Sequence, residues 1–111
     1  MTRYLISFDE GAVPSEELPA VVSAARAVAK EARDAGVWVF GGALTGHAEA
    51  SDVNPDGTVA ESPYSASVTP LGGLTIVDVP SRDDALAWAA KIAAACRCAQ
   101  EVREFRADPG A

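Results

Sequence analysis

The sequence has no basic run: 16 acidic residues against nine basic ones leave a net charge of −7 over 111 residues. Phosphate recognition needs clustered Lys and Arg, so this balance argues against a nucleic-acid partner or an anionic membrane surface. Long apolar runs are also missing. Lys91 interrupts the longest one, short of the ~18 residues a bilayer crossing requires, so no membrane is expected as a partner. The stretch Met1 to Glu10 turns acidic before a signal-peptide core could form. Cysteine is scarce: Cys96 and Cys98 are the only two. A disulfide across so short a gap would be badly strained, and secreted chains of this length more often carry a disulfide framework. These absences point to a cytoplasmic protein with free thiols. No G-x-G-x-x-G, Walker lysine or G-x-S-x-G elbow is present, which excludes the usual phosphate loops and the serine-hydrolase nucleophile. With His47 as the sole histidine, the soft ligands number three at most, short of the four of a structural zinc site. No metal and no cofactor is expected.

What is present is a single domain over residues 1–111 with a frayed tail at 107–111 and regular periodicity between. Arg3 to Phe8 reads as a strand with Tyr4, Ile6 and Phe8 on one face and Leu5 and Ser7 on the other. Ser15-Glu16-Glu17 opens a helix with Ser15 as N-cap. Leu18, Val21, Val22, Ala25, Val28, Ala29 and Ala32 follow helical core spacing, with Arg26, Lys30, Glu31 and Arg33 on the outer face and Gly36 ending the helix. Val37 to Phe40 is a strand apolar on both faces. A hairpin turns at Asn54-Pro55-Asp56-Gly57, where Pro55 presets φ and Gly57 supplies the positive φ. Residues 62–71 form a loop. Gly73 to Val79 is a strand with Leu74 and Ile76 on one face and Val77 and Val79 on the other. Ser81 and Asp84 then form a capping box for a helix carrying Ala85, Leu86, Trp88, Ala89, Ile92 and Ala93 at core spacing. A last strand runs from Ala99 to Arg106.

The order β-α-β-(hairpin)-β-α-β predicts an α+β, ferredoxin-like fold: an antiparallel sheet with both helices on one face. Since 37–40 and 74–79 are apolar on both sides, the other face needs a cover. A second copy packed sheet against sheet would supply it, so a homodimer is expected.

Several residues could carry chemistry. His47 with Glu61 or Asp52 would make an acid/base pair in which the carboxylate fixes the imidazole tautomer; otherwise His47 is a solvated turn residue. Glu61 and Tyr64, flanking Pro63 at the mouth of the loop, could exchange protons with a polar substrate, or bond loop amides and pack on the sheet. Asp78 could face a pocket, or pair with Arg3 or Arg103. Trp38 and Phe40, read as lining one face of their strand, would form an aromatic wall for a planar ligand or a dimer core. These assignments make His47, Glu61 and Tyr64 the catalytic candidates and Trp38, Phe40, Asp52 and Asp78 the ligand-binding ones. Trp88 is expected to pack.

Tyr4-Leu5-Ile6, Ala35-Gly36-Val37 through Gly42, Asp56-Gly57, Glu61-Ser62-Pro63-Tyr64, Leu71-Gly72-Gly73-Leu74-Thr75-Ile76-Val77-Asp78-Val79 and Asp84 to Ala89 come in a succession that resembles the YCII-related family, in its Asp-Gly-Pro-Phe (DGPF-domain) branch. The resemblance covers about residues 2–106. It implies a dimeric α/β barrel built on the ferredoxin-like fold, in a family whose members are mostly of unknown function. Some members have a His and an Asp facing a cleft, and some occur beside extracytoplasmic-function sigma factors. The signature reads Glu61-Ser62-Pro63-Tyr64 here, the first helix has no histidine, and the segment Ser65 to Pro70 is uncharged. With these departures the expected role is binding of a small-molecule ligand by a dimer. The alternative is a cofactor-free acid/base enzyme acting on a small cyclic or aromatic metabolite.

Overall fold

The structure, a computed structural model, describes residues 1–60 and 69–107. Its elements are β1 (Thr2–Asp9), α1 (Leu18–Asp34), β2 (Trp38–Ala43), β3 (Asp52–Val53), β4 (Val59–Ala60), β5 (Leu71–Val79), α2 (Arg82–Cys96) and β6 (Glu101–Glu104), with 3-10 turns at Ser15–Glu17 and His47–Glu49. β2, β5, β1 and β6 lie side by side in that order, each antiparallel to its neighbour, and β3 pairs with β4 in a separate ribbon. This is an α+β fold compatible with the ferredoxin-like arrangement. β1 and β2 are parallel with β5 between them, and α1 makes the crossover. The shortest dimension, 21 Å, has room for one sheet and one helical layer. No helix among the described residues is long and apolar enough to cross a membrane.

Alternation along the strands decides which side is buried. Tyr4 and Ile6 on β1 and Val77 and Val79 on β5 are buried, and they form the core with Val21 of α1 and Ala85, Ala89, Ile92 and Cys96 of α2. Tyr4 also donates its hydroxyl to Glu104 Oε1 at 3.1 Å, so the phenol that leaves the core is satisfied at the sheet edge. Leu5, Ser7, Leu74 and Ile76 take the opposite side, as the alternation predicts.

Local signals set the helix ends, with two departures. At α2 the Ser81 Oγ accepts the Asp84 amide proton at 3.2 Å, as expected of an N-cap. The Asp84 carboxylate, however, accepts the Ser81 hydroxyl proton at 2.9 Å rather than taking a backbone amide. Ser15 caps nothing. Its hydroxyl reaches Glu16 Oε2 at 3.4 Å, and α1 begins at Leu18 with Pro19 in its first turn. The tight 3-10 turn over Ser15–Glu17 carries the chain past the point where Ser15 could reach the first amides of α1. The hairpin turn forms as predicted: Gly57 has φ 88° and donates its N–H to Asn54 O at 2.8 Å.

Candidate functional site

β2 contains the feature that builds the site. Trp38 pairs with Val77 and Phe40 with Ile76, so two residues of β2 span one step of β5 and Val39 is the bulged residue. Val77 and Ile76 point to opposite sides of the sheet, and the bulge therefore sends Trp38 to the helix side and Phe40 to the bare side. The expectation that Trp38 and Phe40 line one face is overturned. Strict alternation fails wherever a residue is inserted in the ladder.

Glycines accept the aromatic rings, Gly41 further along β2 for Trp38 and Gly73 on the adjacent β5 for Phe8. A Cβ on Gly41 would lie 2.6 Å from the Trp38 ring, and one on Gly73 would lie 2.6 Å from the Phe8 ring. Both rings thus rest against these glycines, on the helix side of the sheet. Above them α1 does not close down. A cleft of about 550 Å³ remains between α1 and the β2–β5 side of the sheet. Its floor is Phe8, Trp38, Gly41, Ala43 and Thr75; its wall is Leu18, Val22, Ala25 and Ala29; Ile92 and Cys96 close the deep side. Leu18 and Val22, placed in the core by their spacing, are 46% and 43% exposed because they face this opening.

The polar groups of the cleft are few. Arg26 and Arg33 of α1 are exposed, as their spacing predicts, and both also line the cleft. The Arg33 guanidinium lies 4.9 Å from the centre of the Trp38 ring, within cation–π range. Glu10 lines the cleft near Val13 and Leu44, and its Oε1 accepts the backbone N–H of His47 at 2.7 Å. Glu10, Arg26 and Arg33 escape the sequence reading. The only signal for the arginines is that each follows a cleft residue by one helical turn, Arg26 after Val22 and Arg33 after Ala29. Nothing in the sequence marks Glu10.

The other predicted residues are dispersed. His47 is half-buried in its 3-10 turn and is brought to Glu10 through its amide. Asp52 sits opposite Ala60 in the β3–β4 ribbon and lines neither cleft. Asp78 lies on the bare side of the sheet, opposite Arg3 in strand register but in no ion pair with it or with Arg103. It borders a second concavity of about 600 Å³ with Arg3, Glu104, Phe105 and Arg106. Phe40 is 63% exposed on the same side. Glu61 and Tyr64 lie outside the described residues, as does the tail from residue 108.

The thiols are quiet. Burial, and then the neighbouring Cys98, pushes the Cys96 thiol above its ordinary range; burial, and then Asp9, does the same to Cys98. Both therefore stay protonated at neutral pH and lack thiolate reactivity. Among the described residues no group of three or more His, Cys, Asp or Glu side chains converges as a metal site would require. An apolar cleft with two cations along one wall and one carboxylate at its rim can hold and orient a small molecule. Compared with known proteins, the sequence matches no family model and no curated protein.

Proposed function

We propose that this chain is a cytoplasmic small-molecule-binding protein that works as a homodimer, in the manner of the YCII-related dimeric α/β barrels it resembles. The observation that carries this reading is the cleft under α1. Its volume falls within the ~300–1,000 Å³ of ligand sites, and its walls are apolar with a few polar groups at the edge. The bare sheet side supports the dimer. Leu5, Leu74, Ile76 and Phe40 form an apolar centre, and Arg3, Asp78, Glu101 and Arg103 lie around it by register. An apolar centre with a charged rim of both signs suits a self-complementary contact between two copies.

The test uses Nile red, a neutral dye that brightens in apolar surroundings, together with light scattering of the purified protein. Dye bound to the wild type and lost in Val22→Trp, which fills the cleft, supports the cleft as the binding site. Dye that binds both proteins equally puts the apolar site elsewhere and overturns the reading. A mass near twice 11.4 kDa is expected, falling to that of one chain in Phe40→Asp.

One contact favours the enzymatic alternative, in which the ligand is a small cyclic or aromatic metabolite. The His47 amide is held by Glu10, a carboxylate of the cleft rim, so the sole imidazole belongs to a residue anchored beside the ligand site. In that reading the bound compound is altered by proton transfer. Mass spectrometry or NMR of a ligand recovered after incubation would show the change with the wild type and none with His47→Ala. Unaltered ligand in both returns the protein to the binding class.

A further inference from the structure

We infer that the ligand is an amphipathic carboxylate, its apolar body laid along α1 and its carboxylate held by Arg26, with Arg33 two helical turns further along the same side. This rests on the cleft under α1 being the ligand site. The other charged side chains of α1 are paired. Lys30 pairs with Asp34 at 2.7 Å, and Glu31 pairs with Lys91 of α2. Arg26 and Arg33 have no carboxylate partner among the described residues, and both line the cleft. They are seven residues apart, two helical turns, so they share one side of α1 about 10 Å from each other along its axis.

In a chain of net charge −7 the general field repels anions. Two unpaired guanidinium groups along one apolar wall are a local reversal of that field. Arg33 is already steadied by the Trp38 ring at 4.9 Å, which reduces the side-chain freedom that binding would remove. A guanidinium presents a planar fork of N–H donors that matches the two oxygens of a carboxylate.

Glu10 sets the direction. It lies beyond the N-terminal end of α1, on the rim with Val13 and Leu44, while Arg33 is in the last turn. A carboxylate would be repelled at the Glu10 end and held at the arginine end. The apolar body then lies against Val22 and Leu18. A neutral apolar compound would leave both guanidinium groups unused, and a cationic one would be repelled by them.

Binding of decanoate, decanol and decyltrimethylammonium, below their aggregation concentrations, tests this. The protein carries Trp88→Phe so that Trp38 is the reporting indole, and calorimetry on the unmodified chain replaces fluorescence should that variant not fold. Decanoate should bind at least about tenfold tighter than decanol, in keeping with a charge-assisted hydrogen bond, and should weaken as salt is added. Arg26→Gln should bring decanoate to the affinity of decanol while decanol itself is unchanged. Equal affinity for decanoate and decanol, a preference for decyltrimethylammonium, or a decanoate preference that survives Arg26→Gln overturns the ligand class. If any of these results accompanies Nile red that is displaced by Val22→Trp, the cleft remains a binding site and only the anion is wrong. If neither the dye nor any of the three compounds binds, both readings fall.

Discussion

α2 lies so close to the sheet that Ala85, Ala89, Ile92, Ala95 and Cys96 are all buried, whereas α1, whose apolar stripe has the larger side chains, buries only Val21 and Ala32. The difference follows from residue size and end geometry. Small side chains let α2 approach β5 and β6. Its Ser81 cap fixes one end, and Arg97 at φ 58° turns the chain sharply at the other. α1 starts after a 3-10 turn with no side-chain cap, and beneath it lie the Trp38 and Phe8 rings, each set against a glycine of the sheet. One half of the molecule is therefore a packed core and the other a cleft with hydrophobic walls. A stripe at core spacing identifies a face that avoids water, but it does not say whether protein or ligand covers it.

The largest effect that could break this contrast is cavity creation. Ile6→Ala, in the packed half, should cost about 2–5 kcal/mol in urea unfolding, since Ile6 is fully buried and lines no cleft. Leu18→Ala, in the open half, should cost less than about 1 kcal/mol, since Leu18 is already 46% exposed. Equal losses would mean that α1 is packed as tightly as the core. Next in size is the floor of the cleft. Gly41→Ala places a methyl group 2.6 Å from the Trp38 ring, so the ring must move. A loss of about 1–3 kcal/mol with a shift in Trp emission is expected. An unchanged spectrum would mean that Trp38 does not rest on Gly41.

The two serines sharpen the comparison at the helix ends. Ser81→Ala removes an N-cap and should cost about 1 kcal/mol by thermal or urea unfolding. Ser15→Ala removes none and should be near neutral.

The smallest effect is on pH dependence, and its sign differs between regions. The thiol of Cys96 is raised by burial, so the unfolded chain loses this proton first. The contribution to stability is complete below about pH 8.5, the ordinary thiol range, and is lost as pH rises through the higher folded value. Asp56 in the hairpin turn is lowered by its hydrogen bonds from the Thr58 side chain at 2.7 Å and backbone at 3.0 Å. Its contribution is present above about pH 4 and is lost as pH falls through the lower folded value. Amide exchange followed by NMR should show alkaline loosening at the C-terminal end of α2 and acid loosening at Asn54–Thr58.

Much of the fold was legible in local sequence. The faces of β1 and β5, the Gly57 turn and the Ser81 cap each depend on a few neighbouring residues, and period or turn chemistry states them directly. The site was much less legible. Trp38 and Phe40 look like one face because alternation counts every residue equally, and the bulge at Val39 exists only in the pairing with β5. Arg26 and Arg33 are exposed as their spacing predicts, but that they also border a cleft depends on the position of the sheet beneath the helix, which a helix read alone does not contain.

By itself, then, the sequence determined the order of the elements, the buried sides of β1 and β5 and the acidic charge of the surface. These follow from backbone preference and from burial of apolar area, which act within a few residues or sum over the whole chain. Tertiary structure alone decided that α1 stands over a cleft, that Glu10 meets the amide of His47, and that Asp78 and Trp38 face different sides of the sheet. Each of those depends on contacts between segments distant in the chain, whose geometry is fixed only when strand register and helix position are fixed together.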